Sequence, residues 1–337
     1  MFSHSFGSRL PVTLSSAMST IYSNSNLTST IQLNSDQYNL DEVLDWLKAK
    51  DYRVTLPFVE RTFYSDAPPP AKLVKAAILD TETTGTNLTT DRIIELGIVI
   101  VEYCPETGQV YGVLETFDEL EYPDMPIPPE STTIHGITDD MVLGKKINDE
   151  YVETLMADVS LVIAHNALFD RGFVESRFPL FKKMSWACSY AQVPWKTEGL
   201  GSSGLEFLAY RFGFHYAGHR ASIDCHALLE VLQSALPASG VKVMKMLLEK
   251  ARIPEIKIWA LNAPFDNKDK LKERGYHWDA ERKIWNISMS QADLPMETEW
   301  LKTEVYSNRG FKLELEKVDS FNRFTTRRGT TELVNYI

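Results

Sequence analysis

Between Lys75 and Leu236 the apolar positions first follow the period of strands and then that of helices. Ala76 to Leu79, Arg92 to Tyr103 and Gln109 to Phe117 each have strand length, and Gly108 marks the turn between the last two. Short connections between three such strands predict an antiparallel meander. A Pro-rich loop, Tyr122 to Pro129, interrupts the pattern, and helical segments follow. One more buried strand, Ser160 to Ala164, leads directly into a helix near Asn166 to Phe178, and further helices are expected over Gly204 to Phe212 and Ser222 to Leu236. Strands first and helices interleaved later predict an α/β fold, a mixed sheet covered by helices, because each apolar sheet face must be buried against another layer.

The flanks differ. Val43, Leu44, Trp46 and Leu47 behind an acidic first turn predict a short amphipathic helix over Asp41 to Lys50, and Ala67-Pro68-Pro69-Pro70 then breaks regular structure. From about Pro254 the chain changes character: Phe265 to Ile287 mixes Lys and Arg with Tyr276, Trp278 and Trp285. Phe311 to Val318 alternates as an exposed-edge strand does, and Arg323 to Arg328 reads as a basic end. The expected division is a tail over 1–35, a helical extension and Pro-rich linker over 36–70, a main domain over 71–240, and a small basic and aromatic module over 254–337.

Composition narrows the class. With 337 residues, 44% hydrophobic and 24% charged, the chain can bury a full-sized core. Its longest apolar stretches, around Ile93 to Val101 and Leu161 to Ala164, fall far short of the roughly 18 residues of a membrane span. Cys104, Cys188 and Cys225 are odd in number and widely spaced, the pattern of free thiols in a reducing compartment rather than of a zinc site or a disulfide framework. A cytoplasmic, bacterial location is expected. The Ser-, Thr- and Asn-rich first 35 residues, which lack acidic groups, allow organelle targeting as the alternative to an unstructured tail or to a true start at Met18. A net charge of −11 runs against a phosphate-binding protein, yet residues 241–337 carry a slight excess of Lys and Arg. The acidity therefore lies in 1–240, where bound divalent cations would reverse the local sign.

Three groups there carry chemistry. Asp80 and Glu82 follow an apolar strand two residues apart, so both carboxylates share one face, and Thr83-Thr84-Gly85 turns the chain directly after them. Asp170, in Ala164-His165-Asn166-Ala167-Leu168-Phe169-Asp170, stands in the first turn of the helix behind a buried strand, where the alternative is simple compensation of the helix dipole. Asp224 opens an apolar helix, with His219 on the glycine-containing loop before it; a loop histidine can equally be plain surface. His215 and His226 have no such relation to a carboxylate and read as structural.

Taken together, Ile78 to Gly85, His165 to Asp170 and His219 to Asp224 closely resemble the three exonuclease motifs of the DnaQ-like superfamily, DEDDh branch, and Ile134-His135-Gly136-Ile137-Thr138 is similar to a family element between the first two. The resemblance covers roughly residues 75 to 236. It implies a ribonuclease H-like fold with a mixed five-stranded sheet, and 3′→5′ exonuclease activity that releases nucleoside 5′-monophosphates. It also implies two Mg²⁺ ions, for which Mn²⁺ can substitute, a cofactor that suits four hard oxygen ligands. Asp80 is then the bridging ligand, Glu82 and Asp224 complete one cation site, Asp170 acts mainly through water on the other, and His219 is the general base, because imidazole titrates close to neutral pH. Thr83, Leu88 and His135 are the candidate contacts to the terminal nucleotide, with Asn166 supporting the site from behind; each is equally an ordinary turn or packing residue.

The expected partner is a single-stranded or frayed 3′ end of DNA, with RNA as the alternative substrate and a polymerase or repair protein as a further partner. A non-catalytic binding platform is the rival class, and the intact acidic set counts against it. The segment from Ile258 to Trp285 also resembles an extension of some bacterial exonucleases of this superfamily. Its aromatic residues either stack bases or form the core of a small domain.

Overall fold

The computed structural model describes residues 39–337, so the expected N-terminal tail lies outside the described residues. Helix α1, Leu40–Ala49, is capped by the Asn39 side chain, which accepts from the Asp41 amide, and acidic residues fill its first turn. A short strand β1, Leu56–Pro57, follows.

The central sheet is built from β2, Val74–Thr83, β3, Ile93–Tyr103, β4, Val110–Leu120, β5, Val159–Ala164, and β6, Trp186–Cys188. Its order is β6-β5-β2-β3-β4. β2, β3 and β4 form the antiparallel meander, while β5 and β6 run parallel to β2. This is the mixed five-stranded sheet of a ribonuclease H-like fold. Alternation on β2 separates two cores: Ala76 and Ile78 face one, Ala77 and Leu79 the other. The second is closed by α4, Asp149–Met156, and α5, Ala167–Arg177, beyond the short helices α2, Pro129–His135, and α3, Asp139–Val142. The first lies under α7, Leu205–Phe212, α8, Ala221–Gln233, and α9, Val243–Ala251; the four-residue α6, Ser189–Gln192, joins β6 to this layer. β7, Phe214–His215, sits between α7 and α8 and pairs with β1.

Two strand boundaries differ from expectation. β2 continues through Thr83, so Asp80 and Glu82 lie inside the strand, because β3 pairs with it across Asp80, Thr81 and Glu82. β6 was not foreseen: its three residues are too few to show a period, and only pairing with β5 makes them a strand.

The C-terminal residues form a second five-stranded sheet, antiparallel throughout, from β8, Glu255–Ala260, β9, His277–Asp279, β10, Ile284–Ser290, β11, Phe311–Val318, and β12, Thr331–Tyr336, in the order β9-β10-β8-β11-β12. Helices α10, Lys268–Arg274, and α11, Leu294–Trp300, lie between the strands in sequence. Phe311 to Val318 is thus an interior strand, not an edge. Its alternation reflects one buried and one wetter face, and β12 is the edge that covers it. Trp259, Tyr276 and Trp285 are core residues, while Trp278 is half exposed. Nor do Arg323 to Arg328 make a free basic end. Arg323 pairs with Glu255, Arg327 pairs with Glu175 of α5, and fully buried Arg171 of α5 donates to the carbonyls of Phe321 and Arg323. Arg327 and Arg323 tie the C-terminal module to α5 and α9, through Glu175 and the Ala251 carbonyl, while Arg328 pairs with Glu314 inside the module.

Candidate active site

The carboxylates of Asp80, Glu82 and Asp224 offer oxygens within 4.8 Å of one another. β2 supplies two of them at i and i+2, on one face of the strand. α8 brings the third because its first turn sits on β3 at Gly97, the register partner of Asp80. A Cβ at Gly97 would lie 2.4 Å from the Ala221 carbonyl carbon and 2.5 Å from the Ser222 nitrogen, so only glycine allows that approach. Asp170 of α5 lies beside this set of three rather than within it: its charge bears on Asp80, and its Oδ1 accepts from the Thr81 amide at 3.2 Å and the Thr81 hydroxyl at 2.9 Å.

Crowding shows in the protonation of these groups. Burial first, and then the charges of Asp170, Asp224 and Glu82, push Asp80 well above the usual carboxylate range. Burial and then Asp224 raise Glu82 to about 8, and burial raises Asp170 to about 7 against the pull of its hydrogen bonds to Thr81. Asp224 is also raised by burial, opposed by its hydrogen bond from Tyr216. Like charges held this close without a compensating cation cannot all ionise together at neutral pH. Hard oxygen ligands of this kind suit a divalent cation such as Mg²⁺.

His219 is exposed on the loop before α8, with a left-handed backbone at φ 66°, and its ring and backbone both favour the ionised form of Asp224. His135, at the end of α2, is buried. Its Nδ1 accepts from the Ile137 amide at 3.0 Å, while Nε2 has no protein partner. Burial holds it below the usual histidine range, opposed by the Thr83 backbone and reinforced by His219, so the two rings share this rim.

The remaining candidates are less converged. Thr83 is buried and commits its hydroxyl to the Gly85 carbonyl at 2.6 Å. Leu88 packs over Gly172 on α5, two residues beyond Asp170, and also lines a cavity of about 600 Å³ with Asp91, Arg92, Tyr122 and Arg177. Asn166 is exposed at the start of α5 with φ 123°, and among the described residues no hydrogen bond reaches its side chain. His215 and His226 lie at hydrogen-bond distance from Thr55 and Thr116 respectively, and His226, contrary to expectation, also faces a carboxylate, with its Nε2 3.8 Å from Glu60.

Three supporting residues were missed. Glu95 of β3, fully buried, accepts from Arg220 at 2.6 and 2.8 Å and from the Ala221 amide at 2.9 Å, which anchors the start of α8. Arg220 is its partner. Tyr216 donates its hydroxyl to Asp224 Oδ1 at 2.8 Å and stays protonated, because burial and Asp224 raise its pKa. A lone acid and a lone glycine inside the apolar run Ile93 to Val101 were the available signals for Glu95 and Gly97. Nothing in the sequence marks Tyr216.

A ribonuclease H-like sheet with acidic groups gathered on its central strand defines a nuclease. Comparison with known proteins specifies which kind: the family model RNase_T, described as exonuclease, matches residues 77–232. The DNA polymerase III subunit epsilon of Treponema pallidum (strain Nichols) is 34% identical over 187 residues, covering 53% of this chain and 83% of that protein. The chain belongs to this exonuclease family, the DnaQ-like one, and is a 3′→5′ exonuclease, a hydrolase of phosphodiester bonds. The epsilon subunit of Escherichia coli (strain K12) is 35% identical over 120 residues, 33% of this chain and 46% of that protein, so the chain spans less than half of that relative. A solved structure of exonuclease I overlaps 67% of this chain and 66% of its own at 16% identity and a TM-score of 0.46. No helix among the described residues is long and apolar enough to cross a membrane.

Proposed function

We propose that this chain removes nucleotides from single-stranded or frayed 3′ ends of DNA, with two divalent cations, Mg²⁺ or Mn²⁺, held by Asp80, Glu82, Asp170 and Asp224. The observation that carries the reading is the meeting of Asp80, Glu82 and Asp224 within 4.8 Å, from elements far apart in sequence. The cations would supply charge neutralisation and polarisation of the scissile phosphate.

The protein's own residues do the rest. Asp80, whose carboxylate feels the charges of Asp170, Asp224 and Glu82, would be the ligand common to both sites, and Glu82 and Asp224 would complete one of them. Asp170 keeps one oxygen bound to Thr81 and presents the other. His219 takes the proton of the attacking water as the new O–P bond forms and the bond to the 3′ oxygen of the preceding nucleotide breaks. Nucleoside 5′-monophosphate leaves. His135, buried beside Thr83 with Nε2 unpaired, offers a hydrogen bond to the terminal nucleotide. DNA is favoured over RNA because the relatives are subunits of DNA polymerases by name, which also makes a polymerase a candidate partner.

The test uses 5′-labelled single- and double-stranded DNA and RNA with Mg²⁺, Mn²⁺ or chelator. The expected outcome is a ladder shortening from the 3′ end, fastest on single-stranded DNA and absent with chelator. Cleavage that persists in chelator, or shortening from the 5′ end, would refute the mechanism; faster loss of RNA would replace the substrate.

A further inference from the structure

Residues 55–64 run across the element that carries Asp224. β1 pairs in parallel with β7, with the Leu56 amide donating to the Gly213 carbonyl and the Phe58 amide to the His215 carbonyl, both at 2.9 Å. Among the described residues β1 is the strand partner of β7, so without it this backbone has no ladder. Thr55 is fully buried, with its hydroxyl 3.1 Å from His215 Nδ1. The Phe58 ring packs 5.5 Å from Phe214 and edge-on to Tyr216 at 6.3 Å. The chain then crosses α8, where Arg61 binds Glu230 at 2.6 and 3.1 Å, and reaches the edge of the central sheet, where Phe63 bridges Gly112 and the Tyr64 amide donates to the Tyr111 carbonyl.

These contacts converge on one carboxylate. Tyr216, directly after β7, donates to Asp224 Oδ1 at 2.8 Å, and the Arg220 amide donates to Oδ2 at 3.1 Å, so each oxygen of Asp224 is aimed by a hydrogen bond. Outward residues of the same segment, Val59 and Phe63, are exposed, whereas the inward ones, Thr55 and Phe58, bear on His215, Phe214 and Tyr216. We propose that residues 55–64 form a strap that positions Asp224 for cation binding, and that Phe58 and β1 act through Tyr216. This rests on the cation site proposed above. The hydrogen-bond partners of a metal ligand fix its orientation, and losing one typically weakens metal binding about 10- to 100-fold.

The experiment is calorimetric titration of Mn²⁺ into the full chain, its Tyr216→Phe variant, which keeps the ring, and its Phe58→Ala and Phe58→Leu variants, with nuclease kinetics alongside. Tyr216→Phe is expected to weaken Mn²⁺ binding about 10-fold or more. Phe58→Ala should weaken it in the same direction, and Phe58→Leu should restore it in part. KM for DNA stays unchanged, and kcat recovers at saturating Mn²⁺, which a loss of folded protein would not reproduce. Unchanged Mn²⁺ affinity in Tyr216→Phe, beside a wild type that binds Mn²⁺, overturns the positioning role and leaves the cation site standing. A wild type that binds no Mn²⁺ overturns both.

Discussion

Adding one methyl group at Gly97 tests the whole placement of the site. In Gly97→Ala the new Cβ would sit 2.4 Å from the Ala221 carbonyl carbon, 2.5 Å from the Ser222 nitrogen and 2.7 Å from the Ala221 oxygen. All three are backbone atoms of the first turn of α8, so no rotamer change relieves the clash. Normal contact requires about 3.5 Å or more, so the start of α8 must withdraw by about 1 Å. Overpacking of this kind costs about 1–3 kcal/mol. The withdrawal also carries Asp224 and His219 away from Asp80, the register partner of Gly97. A misplacement of about 1 Å at a reacting centre costs on the order of 100-fold in rate. Urea unfolding gives the stability change, and single-turnover cleavage of a labelled oligonucleotide gives the rate. Gly144→Ala is the control: it meets nothing within 4 Å but holds φ +70°, so it should cost about 1 kcal/mol through backbone strain and leave the rate alone. If Gly97→Ala cleaves at the wild-type rate, the apposition of α8 and β3 does not set the site.

Asp80→Ala and His219→Ala should each abolish cleavage while far-UV circular dichroism stays native; full activity in either removes that residue from the mechanism. Glu82 at about 8 and Asp170 at about 7 hold protons in the folded chain that the unfolded chain releases near pH 4. With chelator present, stability should therefore fall as pH rises from about 4 to 8, and Mg²⁺ should raise Tm more at pH 8 than at pH 6. A larger Mg²⁺ effect at pH 6 contradicts the assignment. Arg171→Ala should cost about 1–3 kcal/mol in urea unfolding, since it strips the buried donor from the carbonyls of Phe321 and Arg323 while Glu175 keeps Arg327. A loss under 1 kcal/mol would show that the junction with the C-terminal sheet contributes little to stability.

The sequence was most legible where local pattern and tertiary environment agree. β3 is apolar for almost its whole length because both faces are covered, so its period and boundaries could be read directly. Asp80 and Glu82 were legible as a pair because strand geometry alone puts i and i+2 together. What stayed hidden depends on contacts between distant segments. β6 and β1 are strands because of their partners, not their residues. β11 looked like an edge because its alternation describes faces and says nothing of which strands lie beside it. Tyr216 matters through one hydrogen bond to a residue whose position the loop sets, and no spacing rule reports that.

The central strand explains why these side chains meet at all. β2 has a parallel neighbour, β5, on one side and an antiparallel one, β3, on the other. Parallel pairing makes β5 finish beside β2 on the same end of the sheet, so the helix that follows it, α5, starts there and delivers Asp170 to Thr81. Antiparallel pairing runs β3 back past the same point and places Glu95 across from Glu82 and Gly97 across from Asp80. Those two residues seat α8, Gly97 by having no side chain and Glu95 by holding Arg220 and the Ala221 amide. A purely parallel sheet would lack the second arrangement and a purely antiparallel one the first. The acidic cluster is therefore a product of mixed topology. A substitution that loosens β3 from β2 should separate Asp224 from Asp80 while Asp170 remains bonded to Thr81.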